Sequence, residues 1–359
     1  MNLEHITACG ECCTGCAKHQ QGQCPGCIEA DGYVPEWSQS GRCRVHACAR
    51  AHGVQFCGVC PEFPCDKLHE MISWNPDIAE HLRSVARQVV PTLYLSDLDG
   101  TLLRSDQHTS AYTNETINRL VQQGMRFTYA TARSIHTASK ATQGMDAAFP
   151  VIVYNGAFIL DNATGKVLHA NFFTKEEAQE IHTALMEAGV QSIVYSVADG
   201  KERMSYIREK MHPAGRAFMD TRKGDLRDTP VHADGELLAG DTFYFTCIED
   251  VSKLEPLHEL FREKYRCVYS KDIYSDAQWL EIMPKAATKA NAARQLAKLL
   301  GCERIVAFGD HVNDLDMFAI ADECYAVGNA VPELKAAATA VIGTNDEDGV
   351  AHWLDEHAK

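Results

Sequence analysis

The chain has 359 residues, 45% of them hydrophobic, enough for two or three packed cores rather than one. Its formal net charge of −15 argues against broad binding to nucleic acid or to an anionic membrane surface. Such a charge leaves room for a phosphorylated small molecule, which responds to the local charge of a cleft. The N-terminus, MNLEHITACGECC, lacks a basic region leading into an apolar run, and no segment approaches 18 continuous apolar residues. The expectation is a cytoplasmic protein, with no nucleic-acid or membrane partner.

Residues 1–70 are rich in Cys, Gly and Pro and show little periodicity. Eleven of the 15 cysteines lie there: Cys9, Cys12, Cys13, Cys16, Cys24, Cys27, Cys43, Cys48, Cys57, Cys60 and Cys65. Two cysteines with two residues between them can grip one tetrahedral metal, and Cys9/Cys12, Cys13/Cys16, Cys24/Cys27 and Cys57/Cys60 have that spacing. Cys43/Cys48 form a wider pair, and Cys65 follows Cys60 by five. In a cytosolic chain such clustering points to metal rather than disulfides. The expected metal is Zn²⁺, two ions per chain, stapling a segment that lacks a core of its own; an iron–sulfur cluster is the rival. Cys247, Cys267, Cys302 and Cys324 read as small core residues.

Residues 71–91 carry a helical pattern, DIAEHLRSVARQVV, that stops at Pro91. They are read as a bridging linker, so a chain starting near Val90 is expected to keep any activity encoded downstream. From Thr92 the texture is α/β. TLYLSD is a buried strand, NETINRLVQQGM an amphipathic helix, RFTYATAR a second strand and PVIVYNGAFIL a third. The same alternation returns in TKANAARQLAKLLG (helix), RIVAFGD (strand), DLDMFAIA (short helix) and CYAVGNA (strand). Between them, over about 160–275, helices TKEEAQEIHTALMEAG and VSKLEPLHELFREKY mingle with strands SIVYSV, RMSYIRE, DTFYFTCIE and RCVYS. The expected organisation is a Cys-rich module over 1–70, a linker over 71–91, a Rossmann-like parallel-sheet core over 92–159 and 276–359, and an inserted α+β cap over 160–275.

The chemistry concentrates at strand ends. Asp97 and Asp99 close the first strand, and alternation along an extended segment would face them into one space. Their mutual repulsion calls for a nearby positive charge. Gly100 permits a sharp departure of the chain. Thr131 ends the second strand. Lys289 stands in the first turn of a helix, an unfavourable place for a cation unless an anion lies beside it. Gly309-Asp310 ends a later strand, and Asn313 and Asp314 follow at a helix start, where Asp314 could equally be a cap.

In this order DLDGTLL, TYATAR, Lys289 and GDHVNDLDMF resemble the four motifs of the haloacid dehalogenase superfamily of phosphatases. VYNGAFI and AVGNAVPELKAAATAVIGTNDEDGVAHWL resemble its Cof-type branch, which carries a large cap. The resemblance covers about 92–359. It implies a Mg²⁺-dependent phosphatase acting on a small phosphorylated metabolite. Asp97 would be the nucleophile and Asp99 the acid and base. Thr131 and Lys289 would stabilise the transferring phosphoryl group. Mg²⁺ would be held by Asp97, the Asp99 backbone carbonyl, Asp310 and Asp314. Ala132, Asn155, Gly156 and Asn313 join Thr131 and Lys289 as substrate contacts, whereas Arg133 reads equally as a structural ion pair. Three positions depart from the family pattern: Ala132 for glycine, Ala290 for the usual glycine, and His311 after the metal-binding aspartate. The cysteine pattern itself resembles a small, uncharacterised Cys-rich bacterial family that carries no activity with it and whose protein partner is unknown. Alternatives are a metal-responsive binding protein on the same scaffold, and a phosphotransferase or mutase. Cap residues Arg203, Tyr206, Arg208, His212 and Arg216 could face the cleft but read better as solvated surface.

Overall fold

The computed structural model describes residues 3–34, 41–271 and 277–358. Fourteen strands form two sheets. The larger contains β1 (Thr92–Asp97), β2 (Arg126–Ala130), β3 (Pro150–Val153), β4 (Phe158–Asp161) and β5 (Val167–Ala170). The second contains β6 (Ser192–Ala198), β7 (Lys201–Tyr206), β8 (Asp228–Pro230), β9 (Asp241–Glu249), β10 (Arg266–Lys271) and β11 (Gln278–Met283). The chain then returns to the first sheet with β12 (Arg304–Gly309), β13 (Glu323–Ala326) and β14 (Ala340–Val341).

The eight-stranded sheet runs β14-β13-β12-β1-β2-β3-β4-β5. Its strands are parallel from β14 through β3. β1 is buried along its whole length, as a central parallel strand covered on both faces must be. β1 and β12 are neighbours, so their carboxyl ends, carrying Asp97 and Asp310, open into the same crevice.

PVIVYNGAFIL, expected to be one strand, is two. β3 and β4 pair antiparallel through a tight turn in which Tyr154, Asn155 and Gly156 all have positive φ. The apolar run is continuous because both strands are buried, so periodicity alone could not reveal the turn. A Cβ on Gly156 would overlap the Thr288 carbonyl, so glycine is required where the turn packs against the helix bearing Lys289.

The six-stranded sheet runs β10-β11-β9-β6-β7-β8. Helices Lys175–Glu187 and Val251–Phe261 contribute Ile181, Leu185, Leu254 and Leu257 to the apolar cluster that includes Phe245 and Ile282 of this sheet. Tyr195, Phe243 and Tyr244 pack instead on Tyr154, in the turn between β3 and β4 of the larger sheet. The cap boundaries differ from the expected 160–275. β5 belongs to the larger sheet, and β11, assigned to the core from sequence, pairs with β9 and β10. The expected junction at 275/276 lies outside the described residues.

The N-terminal segment is not coreless. Ile6, Val45, Phe56, Leu68 and Ile72 form one apolar cluster with Ile78, Leu82, Val85 and Ala86. The last four lie on helix Ile78–Val89, so this helix completes the module rather than merely bridging from it. Its next inward residue, Arg87, reaches the larger sheet. Arg87 Nη1 donates to Glu323 Oε2 at 2.6 Å, while Arg304 Nη2 donates to Glu323 Oε1 at 2.5 Å. The Glu323 side chain is fully buried between the two guanidinium groups. Arg87 also lies over the Trp353 ring, 5.2 Å from its centroid. The sequence pattern marks a helix here but cannot show that its arginine is shared with a strand 236 residues away.

Breaking a buried pair by removing one partner strands the other charge in a low-dielectric setting. Arg87→Ala should therefore destabilise the chain by about 3 kcal/mol, read from the denaturant midpoint. A chain starting at Val90 should likewise be less stable than the full chain. Equal midpoints for all three would refute the role given to this ion pair.

Candidate functional site

Asp97 ends β1 with its side chain buried. Lys289 Nζ donates to Asp97 Oδ1 at 2.5 Å and to Asp314 Oδ1 at 3.0 Å. Lys289 is the first residue of helix Lys289–Leu299, whose N-cap Thr288 accepts from the Asn291 N–H. The two aspartates supply the anions that a cation at a helix start requires. Asp314 is wholly buried; its second oxygen accepts from the backbone N–H groups of Asp310 (3.1 Å) and His311 (3.3 Å). Asp314 thus braces the loop after β12, so the capping role and the charged role belong to one side chain. A Cβ on Gly309 would stand 2.8 Å from the Asp314 Cβ, which explains the glycine there.

Asp310 Oδ1 accepts from the Thr101 hydroxyl at 3.1 Å. Gly100 has φ of +78°, and a Cβ there would meet Asp310 Oδ2 at 2.5 Å. Conformational freedom and close approach both demand glycine at this point. Asp97, Asp310 and Asp314 each present an oxygen within 4.8 Å of the others. Three carboxylates against the one ammonium of Lys289 leave a formal deficit of two positive charges. These hard oxygen donors and this balance fit a small divalent cation.

Burial raises the pKa of Asp97; Lys289 opposes that rise, and Asp314 and Asp310 add to it. Burial and Asp314 likewise raise Asp310. Burial pulls the Lys289 ammonium down, but Asp97 and Asp314 outweigh this and hold its pKa above the ordinary lysine value.

Asp99 does not share this space. The strand ends at Asp97, and Asp99 (φ −77°, ψ 118°) belongs to the irregular loop Leu98–Leu102, so alternation no longer governs where it points. Its exposed carboxylate is gripped by Arg133, through Nη2 at 2.5 Å and Nε at 3.0 Å to both oxygens, and lies 3.5 Å from the Thr131 hydroxyl. The expected relief of repulsion comes from two separate cations, Lys289 for Asp97 and Arg133 for Asp99. Thr131 is buried and accepts from the Arg133 backbone N–H at 3.1 Å.

A cavity of about 130 Å³ adjoins Lys289. The sheet side contributes Ala132, Asn155, Asn313 and Asp316; the cap contributes Arg266, Val268 and Glu281. Asn155 Nδ2 lies 3.5 Å from the Tyr244 hydroxyl. Arg266 Nη1 bridges from cap to sheet side, 3.1 Å from Asp316 Oδ2. The sequence reading missed Arg266, Glu281 and Asp316. Glu281 sits in an alternating apolar segment, QWLEIM, whose one inward acid was the available signal. The five cap residues considered from sequence do not line this cavity. Arg203 pairs with Asp199, Arg208 with Asp220, and Tyr206 donates to Asp228. Arg216 donates to the Met211 carbonyl, and His212 stands by Glu249 and Asp250. Gly156 takes part only through the turn it permits.

All eleven N-terminal thiols are free. Cys48, Cys57, Cys60 and Cys65 line one cavity. Cys13 lies near Cys16, Cys24 and Cys27; Cys27 lies near Cys24, Cys43 and Cys9, and Cys9 also lies near Cys57. Of the sequence pair Cys43/Cys48, Cys48 lines this cavity from helix Arg44–Ala51, and Cys43 precedes that helix near Cys27. Among the described residues, the groups whose ligand atoms all approach within 4.8 Å are Asp97/Asp310/Asp314 and His212/Glu249/Asp250; the thiols are spaced more widely. No helix among the described residues is long and apolar enough to cross a membrane.

Residues 94–354 match the family of haloacid dehalogenase-like hydrolases, and residues 5–70 match a family of unknown function, DUF3795. Two Bacillus subtilis relatives, YwtE and YitU, are each named 5-amino-6-(5-phospho-D-ribitylamino)uracil phosphatase. YwtE is 28% identical, covering 72% of this chain and 96% of its own length. YitU is also 28% identical, covering 74% and 97%. The crystal structure of a haloacid dehalogenase-like hydrolase from Bacteroides thetaiotaomicron shares the fold, with a TM-score of 0.60 at 24% identity over 74% of this chain and 99% of that one.

In the cation-free protein, Asp97 binds its proton more tightly when folded than when unfolded. It therefore contributes stability at low pH, and this contribution is lost as pH rises through the folded-state pKa. Asn mimics the protonated form at every pH. In chelator-treated protein, wild-type stability relative to Asp97→Asn should fall as pH is raised from about 4 toward neutrality. A pH-independent difference between the two unfolding temperatures would contradict this.

Proposed function

This chain belongs to the haloacid dehalogenase-like hydrolases and is a phosphoric monoester hydrolase, and we propose that it cleaves a small phosphorylated metabolite through an aspartyl-phosphate on Asp97. The observation that carries the reading is the bridge made by Lys289 between Asp97 and Asp314, with Asp310 closing the carboxylate group.

In this mechanism an Asp97 oxygen attacks phosphorus and the bond to the leaving oxygen breaks. Asp99 gives the leaving oxygen its proton. A water then attacks the same phosphorus, Asp99 takes its proton, and the bond to Asp97 breaks to release phosphate. Asp99 serves this role once it exchanges the Arg133 contact for the leaving group. Lys289 and the Thr131 hydroxyl stabilise charge on the transferring group. Asp97, Asp310, the Asp99 carbonyl and the nearby Asp314 would hold magnesium, which would supply neutralisation of phosphoryl charge. Lys289 fixes the Asp97 oxygen it touches, leaving the other oxygen for phosphorus.

Ala132, Asn155 and Asn313 are the proposed substrate contacts on the sheet side of the cavity. Glu281, already hydrogen-bonded to the Tyr244 hydroxyl, suits a leaving group bearing hydroxyls, because its oxygens accept from such donors. A phosphorylated hydroxylated chain is the substrate class favoured here, consistent with the ribityl phosphate in the names of the two relatives. For the N-terminal cysteines we propose a structural metal, zinc by the usual preference of paired thiolates.

Asp97→Asn should lower turnover of an aryl phosphate by at least about 10³-fold without loss of fold. Lys289→Met should lower it about 10²–10³-fold. Chelation should abolish turnover, Mg²⁺ should restore it, and Ca²⁺ should restore it poorly because its larger shell disturbs the in-line arrangement. Near wild-type turnover by Asp97→Asn would remove the nucleophile assignment, and full activity in metal-free buffer would remove the cation. A screen of phosphorylated metabolites, repeated with Glu281→Gln, tests the substrate class. If Glu281 accepts from the substrate, KM for polyol phosphates changes while aryl phosphate turnover holds.

A further inference from the structure

The cavity in the N-terminal module is lined by Cys48, Cys57, Cys60 and Cys65, with His52 and Glu62 at its edge. Three separate pieces of chain bring the thiols there. Cys48 comes from helix Arg44–Ala51, Cys57 and Cys60 flank a single 3₁₀ turn, and Cys65 immediately precedes helix Asp66–Met71. None of the four is oxidised to a disulfide. Cys57 is buried, and the other three are half-buried. His52 is already engaged: Nδ1 lies 2.8 Å from the Cys48 carbonyl and Nε2 lies 3.3 Å from Glu62 Oε1. This leaves the four sulfurs as the soft donors facing the cavity.

The turn carrying Cys57 and Cys60 is also a docking element. A Cβ on Gly58 would stand 2.7 Å from the Leu82 carbonyl, so the turn lies flat on helix Ile78–Val89. The Gly58 carbonyl faces the other way, 3.4 Å from Arg304 Nη1. Arg304 begins β12, the strand that ends in Gly309 and leads to Asp310, and it shares Glu323 with Arg87. The thiol-bearing turn therefore touches the buried ion-pair network at the base of the catalytic sheet.

We propose that Cys48, Cys57, Cys60 and Cys65 form one tetrathiolate metal centre, and that this centre holds the Gly58 turn against Arg304 and so steadies β12. The assignment rests on the reading that the N-terminal cysteines bind metal, and goes beyond it by naming which thiols share a centre. A single tetrahedral ion with metal–sulfur bonds of about 2.3 Å sets its sulfurs about 3.8 Å apart. The wider spacing here means that one ion draws the three pieces inward, or that a larger iron–sulfur cluster spans them. Both are the same thiolate chemistry, and the metal content separates them.

The test uses full-length chain purified anaerobically. Metal and acid-labile sulfide are measured first; zinc without sulfide identifies the ion, and iron with sulfide the cluster. Thiol alkylation is then read residue by residue before and after chelation or oxidative removal of the metal. Cys48, Cys60 and Cys65 should be protected together and should become reactive together. In the same comparison, amide hydrogen exchange across β12 should quicken several-fold on metal removal. Cys60→Ser/Cys65→Ser should lose the metal held at this centre, whereas Cys13→Ser/Cys16→Ser should leave the protection of Cys48, Cys60 and Cys65 unchanged. Free alkylation of Cys60 or Cys65 in metal-loaded wild-type chain would overturn the four-thiol assignment even if both variants failed to fold. Unchanged exchange in β12 would overturn the link to the catalytic sheet. A chain isolated without any metal would instead overturn the underlying reading, an outcome distinct from metal bound through other thiols.

Discussion

A single buried ammonium organises the catalytic end of this molecule. Lys289 touches Asp97 and Asp314 together, and without it three carboxylates would crowd a desolvated crevice. Like charges at that spacing cannot all stay ionised inside a protein. The neighbouring elements serve this contact. The Thr288 cap starts the helix one residue before Lys289, Gly156 lets the β3–β4 turn approach it, and the backbone N–H groups of Asp310 and His311 hold the far oxygen of Asp314. The ammonium compensates only part of the negative charge, and the remaining deficit is what suits the crevice to a divalent cation and a phosphoryl group.

A second charged arrangement, at the opposite end of the sheet, joins the parts of the chain. Glu323 is clamped between Arg304, on the adjacent strand β12, and Arg87, on the helix that completes the Cys-rich module. A carboxylate buried with one guanidinium would be poorly compensated; with two, and with the Tyr325 hydroxyl 2.5 Å from Oε2, its lone pairs are filled. The module is thus tied to the base of the catalytic sheet rather than tethered by a linker. Its apolar cluster, shared with the same helix, reinforces the tie.

Between these two ends lies the division of labour usual for a capped sheet. The strand ends hold the charged groups, and the cap supplies Arg266, Val268 and Glu281 to the cavity beside them. The Arg266–Asp316 pair spans the two sides of the cavity, and the aromatic packing of Tyr195, Phe243 and Tyr244 on Tyr154 joins the cap to the larger sheet side. Asp99 is held by Arg133, so the proposed acid–base group has a partner other than the one serving the nucleophile.

The positions of Asp97, Thr131, Lys289, Asp310 and Asp314 were legible in the sequence because each follows a buried strand or opens a helix. Hydrophobic periodicity places such junctions even without coordinates. The order of four motifs then carried the family, and the cysteine spacing carried a separate module. Other features depended on contacts between residues far apart in the chain. Periodicity could not divide PVIVYNGAFIL, since two buried strands and one read alike until the turn is seen. Strict alternation placed Asp99 beside Asp97, and the end of the strand undid it. Cys48, Cys57, Cys60 and Cys65 come from three pieces of chain, and only packing brings them to one cavity. Arg87 looked like one more polar residue on a bridging helix, and only the approach of Glu323 made it a buried tie. In each case the local pattern set what a segment is, whereas long-range packing and charge compensation decided which partner it meets.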